Sequence, residues 1–259
     1  MKSVNRYSIL TFVVTYTLWG IVAIYTQWKN VPFGSSIPLI VLYVLGVLSP
    51  AISAMTINKQ LVSKEAFHSF CRNCFMPPKK FTWYVLILVV TVVFQLLPYV
   101  LFGGERSGPL YLIVLQFPLY ILIGGMEEIG WRGLMQPELE KKWSPFISTM
   151  IVGVVWSLWH LPLFFIVGTY QELYLSFFNF SISTIAFSFI LAVVYQRTRS
   201  VFMCIITHAF LNSLSAVFIT GEAWMGELIS LLIGFVIFIW SQITDRSRPN
   251  CRGIRTWSL

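Results

Sequence analysis

Glu127 and Glu128 are adjacent, and Arg132 follows four residues after the second, in a chain that is 11% charged and 57% hydrophobic. Two of its three histidines also lie in apolar stretches. His160 ends Trp156-Ser157-Leu158-Trp159-His160, and His208 heads His208-Ala209-Phe210-Leu211-Asn212. These residue types suit acid–base chemistry on water. A carboxylate takes a proton, an imidazole holds the water or donates, and an amide donates to a developing oxyanion. An acid kept at bilayer depth costs roughly 2.5–3.5 kcal/mol on insertion scales, so a function is its default explanation. Spacing divides the groups further. Glu128 and Arg132 share a helix face and can pair, which turns Glu127 elsewhere; Trp156 with His160, and His208 with Asn212, share faces in the same way. Taken singly, each group has a structural explanation, as interhelical hydrogen bonding or as a buried ion pair that fixes packing. Taken together, in three separate apolar segments, they point to chemistry.

Those segments must be helices in lipid. Charge-free runs cover residues 7–28, 30–58, 81–104, 107–126, 143–171, 173–196, 200–221 and 228–244. Each can supply about 20 residues of helix, enough to cross roughly 30 Å of hydrocarbon. The runs are continuous and do not alternate, which disfavours a barrel. The expected fold is an all-α, polytopic membrane helical bundle of about eight transmembrane helices, one or two of them interfacial or broken. The first run lacks a small-residue cleavage site and reads as a retained span.

Basic residues give the orientation. With the N-terminus in the cytoplasm and each run crossing once, 16 of the 18 Lys and Arg fall inside, and only Lys29 and Arg106 fall outside. Both termini are then cytoplasmic. The net charge of +8 follows this membrane pattern and does not indicate nucleic acid. The organisation reads as N-terminal helices with a basic cytoplasmic loop over 1–108, a helical core that carries the polar groups over 109–218, and a last helix with a basic tail over 219–259. The loop at 59–80 carries Cys71-Arg72-Asn73-Cys74, most simply two cytosolic thiols, since no second pair accompanies them. The tail is expected to rest on the anionic inner leaflet.

Depth allows the polar groups to meet. The turn at Trp143-Ser144 is nearly equidistant from Glu127 and His160, about 20–25 Å of helix from each at 1.5 Å per residue. A helical hairpin therefore brings them level. His208 lies about 13 Å in from Arg199, with Asn212 a turn deeper.

The order Glu127-Glu128-x-x-x-Arg132, Trp156-x-x-x-His160, His208-x-x-x-Asn212 resembles the CAAX prenyl endopeptidase and bacteriocin-processing (CPBP, or Abi) family of intramembrane proteases. Gly133 and Trp159-His160-Leu161-Pro162 strengthen the resemblance, which covers about 109–218. The family's second motif often has Phe where this chain has Trp156, a conservative change expected to matter little. The resemblance implies a membrane peptidase with Glu127 as general base, His160 helping to hold the water, and His208 with Asn212 stabilising the oxyanion. It implies that Glu128 and Arg132 orient the site. Glu127, His160 and His208 also form a candidate ligand set for zinc or another divalent metal, with an open position for water; the metal question stays open at this level. Expected partners are membrane lipids and a membrane-associated protein or peptide substrate, prenylated or bacteriocin-like, in the plasma membrane of a bacterium. Two alternatives stand beside the peptidase. One is a non-catalytic bacteriocin-immunity or scaffold protein. The other is a small-solute or ion transporter, weakened by the lack of an inverted repeat.

Overall fold

The computed structural model describes residues 2–220 and 223–246. The chain is a helical membrane bundle. Six described helices are long and apolar enough to cross a bilayer: α1 (Lys2–Lys29), α5 (Phe81–Phe102), the broken segment Tyr111–Glu140, Pro145–Phe165, α11 (Phe177–Thr198) and Trp224–Thr244. A seventh crossing is made if α2 (Ile37–Val47) and α3 (Ser49–Leu61) act as one span; they are bent by 51°. Pro50 on the second residue of α3 explains the break, because a proline ring cannot follow an uninterrupted helix. The run at 200–221 was expected to give a full span. It gives the shorter α12 (Val201–Ser215) and then strand β2 (Phe218–Thr220). That strand pairs antiparallel with β1 (Gly104–Arg106), with Glu105 opposite Ile219.

The basic segment read as a loop contains a helix, α4 (Lys64–Phe75), whose Ser63 cap accepts from the Ala66 N–H. Cys74 is buried in it and Cys71 partly so. Residues 247–259, including Cys251 and most of the basic tail, lie outside the described residues.

Burial in α1 shows how lipid acts as solvent. Val4, Tyr7, Thr11, Thr15, Trp19, Val22 and Thr26 are buried, at steps of three or four that make one inward stripe. Ile9, Val13, Ile21 and Ile24 are exposed and face the hydrocarbon. Small polar residues line the inward contacts, where they let helices approach and hydrogen-bond across. Thr15 Oγ1 meets Ser49 Oγ on α3 and accepts from Trp159 Nε1 at 2.7 Å. Ser3 Oγ donates to Glu138 Oε2 at 2.9 Å, tying the start of α1 to α8 (Gln136–Glu140).

Candidate active site

The glutamate pair lies where the Tyr111–Glu140 segment stops being a regular helix. α6 (Tyr111–Ile123) carries Pro118 and ends at Gly124. A 3₁₀ turn follows over Gly125–Glu127, then one α-turn, α7 (Glu128–Gly130), and a π-helical turn over Trp131–Met135. Such irregular turns disturb the backbone ladder and recur at functional sites. Here they become possible because two glycines stand where α12 comes closest. A Cβ on Gly125 would lie 2.7 Å from the Ile205 carbonyl oxygen. A Cβ on Gly124 would lie 2.5 Å from Asn212 Nδ2 and 3.1 Å from His208 Nε2. Without those glycines α12 could not bring its two polar side chains against the acidic segment.

α9 (Pro145–Trp159) supplies the third wall. Ser144 caps it, accepting from the Ile147 N–H, and Pro145 takes its first position. Its last turn carries Trp156, and His160 follows as the helix ends into a 3₁₀ turn over Leu161–Phe165.

The two carboxylates divide as their spacing predicts. Glu128 is fully buried and pairs with Arg132 at 3.2 Å. It also takes the His208 ring, with Nδ1 2.9 Å from Oε1. Arg132, fully buried, donates through Nη2 to Ser188 Oγ at 2.9 Å and to the Ser188 carbonyl at 3.1 Å on α11. Ser188 is held in turn, its hydroxyl donating to the Thr149 carbonyl. Glu127 is also buried, but its neighbour is aromatic: Trp156 Nε1 donates to Glu127 Oε2 at 2.7 Å. The Trp131 indole lies against the same carboxylate, with its Nε1 outside hydrogen-bonding geometry.

Trp156 also touches the rest of the cluster. Its ring takes the Arg132 guanidinium over its face at 5.2 Å, meets His208 edge-on at 5.2 Å and lies 5.8 Å from His160. The His160 ring is boxed by Trp159 at 4.5 Å and Phe180 at 4.9 Å. His160 Nδ1 is 2.9 Å from the Trp156 carbonyl. A carbonyl only accepts, so Nδ1 carries the proton, and in the neutral ring Nε2 is left as an acceptor.

All six residues singled out in the sequence are therefore brought to one place: Glu127, Glu128 and Arg132 from the broken segment, His160 from the end of α9, and His208 with Asn212 from α12. The sequence reading did not assign roles to Trp156 or Ser188. The first had a signal, its place four residues before His160. Ser188 had none, since a serine in an apolar helix is ordinary. Among the described residues no group of three His, Cys, Asp or Glu side chains converges closely enough to hold a metal ion. Glu127, His160 and His208 share a neighbourhood without forming such a group.

Residues 106–214 match the model of the family described as type II CAAX prenyl endopeptidase Rce1-like. That span contains every residue of the cluster. The chain is also 26% identical over 224 residues to CAAX prenyl protease 2 of Methanococcus maripaludis, covering 80% of this chain and 81% of that protein.

Proposed function

We propose that this chain, a multi-pass membrane protein with an Rce1-like CAAX prenyl endopeptidase match over residues 106–214, is an intramembrane endopeptidase. It hydrolyses a peptide bond of a membrane-associated protein or peptide with a water activated by Glu127. The observation that carries the reading is convergence: three helices deliver a carboxylate, two imidazoles and an amide to one buried point beside Gly124 and Trp156.

In this reading the water sits between two acceptors, a Glu127 oxygen and His160 Nε2, which leaves its lone pair free for attack. The water oxygen adds to the scissile carbonyl carbon and its proton passes to Glu127. The carbonyl oxygen becomes an oxyanion, held by Asn212 Nδ2–H and His208 Nε2–H. When the tetrahedral intermediate collapses, the C–N bond breaks and Glu127 returns the proton to the leaving amine. Glu128 orients His208, and Arg132 balances the carboxylates.

The name of the Methanococcus maripaludis relative makes a prenylated C-terminal cysteine peptide the first substrate to test. Comparative membrane proteomics of wild type and Glu127→Ala should reveal an uncleaved substrate. Glu127→Ala and His160→Ala should each abolish cleavage while the protein still inserts. Cleavage retained in a Glu127→Ala, Glu128→Ala double variant would overturn the proposal.

A further inference from the structure

We infer that Trp156 is a positioning residue for the basic carboxylate: its indole N–H ties down Glu127 Oε2 and leaves Oε1 as the oxygen that takes the proton from water. The inference rests on the peptidase reading and deepens it, because it assigns the base to one atom. Three observations support it. The Trp156 Nε1 to Oε2 distance of 2.7 Å is that of a short, direct hydrogen bond. The ring donating it is itself fixed, with Arg132 over its face and His208 against its edge. Trp156 and Glu127 are both buried, so water does not compete for the bond. A buried carboxylate without such a tether could rotate about its terminal torsion, which is broad and roughly two-fold, and would present either oxygen. The tether also links the water's two holders. Trp156 gives its side-chain N–H to Glu127 and its main-chain carbonyl to His160 Nδ1, so the base and the imidazole are aligned by a single residue. A phenylalanine at this position would keep the ring contacts and lose the N–H. This chain therefore sets its base in a way that a member with Phe at this position cannot.

The test removes the N–H alone. Trp156 is replaced by 3-benzothienylalanine, which has the shape of indole with sulfur in place of N–H, and separately by phenylalanine (Trp156→Phe). Both are assayed on a quenched fluorescent farnesylated peptide, with Glu127→Gln as the control. Loss of a hydrogen bond to a charged group predicts kcat lower by about 10- to 100-fold in both variants. KM should change by less than about threefold, since the bond acts on the base and not on the substrate. The isostere should melt within a few degrees of wild type. Infrared difference spectra of wild type against the isostere give a readout that needs no turnover. They should show a shifted carboxyl band that is missing when the same pair is compared in the Glu127→Gln background. Wild-type kcat in the isostere, a change confined to KM, or no such band would overturn the role of the N–H. Wild-type turnover in Glu127→Gln would instead overturn Glu127 as the base on which this inference rests, and no cleavage by the wild-type protein would overturn the peptidase reading itself.

Discussion

Adding one methyl group at Gly124 should damage catalysis and spare the fold. The new Cβ would stand 2.5 Å from Asn212 Nδ2, and 3.1 and 3.3 Å from His208 Nε2 and Cδ2. Ordinary contact begins at 3.4 Å, so the amide must retreat by about 0.9 Å (3.4 minus 2.5) and the imidazole by a few tenths. φ at Gly124 is −157°, outside the left-handed region that bars a side chain. The atom that gives way is the end of a partly exposed side chain, so the folding cost should be near the low end of overpacking, about 1 kcal/mol. The catalytic cost is larger. A misplacement of about 1 Å costs on the order of 10²-fold, and loss of an oxyanion donor costs about 10²–10³-fold. Gly124→Ala should thus lower kcat by about 100-fold, with a melting temperature within a few degrees of wild type in detergent. Gly125→Ala is the internal contrast. Its Cβ meets the Ile205 carbonyl oxygen at 2.7 Å, and a backbone atom cannot swing away. That variant should lose stability first. Wild-type kcat in Gly124→Ala would refute Asn212 as a donor to the transition state. Unfolding as severe as that of Gly125→Ala would refute the assignment of the clash to a yielding side chain.

The remaining tests address the charges, the thiols and the metal. Glu128→Gln leaves Arg132 buried without its anion and should cost about 3–5 kcal/mol, read as a lower melting temperature. Glu127→Gln removes a buried carboxylate whose hydrogen-bond partner is a neutral indole, and should melt at or above wild type while being inactive. In a Cys251→Ser background at pH 8, maleimide should modify Cys71 quickly and Cys74 only after unfolding. Burial pushes the Cys74 thiol up to about 12, so it stays neutral and unreactive across the neutral range, and the thiolate would form only above that value. Rapid double labelling would contradict the buried placement of Cys74. Exhaustive chelation should leave cleavage unchanged, because Glu127, His160 and His208 do not converge as a ligand group. Activity lost on chelation and restored by a divalent ion would refute that expectation.

Charge-free runs located the elements because in lipid a charge marks the end of a span. The runs at 7–28, 81–104 and 173–196 became α1, α5 and α11. What the runs could not show was continuity. Residues 30–58 bend by 51° at a proline, and residues 124–135 pass through 3₁₀, α and π turns because α12 presses against two glycines there. The segment 59–80 was too charged to read as a span and short enough to pass for a loop, yet a serine cap and tertiary contact make it a helix. The site followed the same rule. The Glu128–Arg132 pair was legible because it is local, four residues apart on one helix. The bonds from Trp156 to Glu127 and from His208 to Glu128 join residues 29 and 80 positions apart, and no spacing announces them. The change from the family motif's phenylalanine to Trp156 reads as conservative in sequence; the structure adds a carboxylate opposite the indole N–H.

The charge count of the cluster ties the proposed roles of Glu128 and His208 together. With Glu127 ionised, as the proposed base must be, Glu127, Glu128 and Arg132 alone sum to one net negative charge in a buried site, a costly state without further compensation. His208 presents Nδ1 to a carboxylate, and a carboxylate accepts, so that nitrogen carries a proton. In a neutral ring Nε2 would then be a bare acceptor and would repel an oxyanion. His208 can stabilise the intermediate only as an imidazolium, with Nδ1–H on Glu128 and Nε2–H toward the oxyanion. In that form the four ionised groups sum to zero. In the proposed mechanism Glu128 is therefore the anion that makes His208 a donor, as well as the partner of Arg132 in the structure. Its loss should cost activity even under conditions where the variant remains folded, and a folded, fully active Glu128→Gln protein would remove His208 from the oxyanion site.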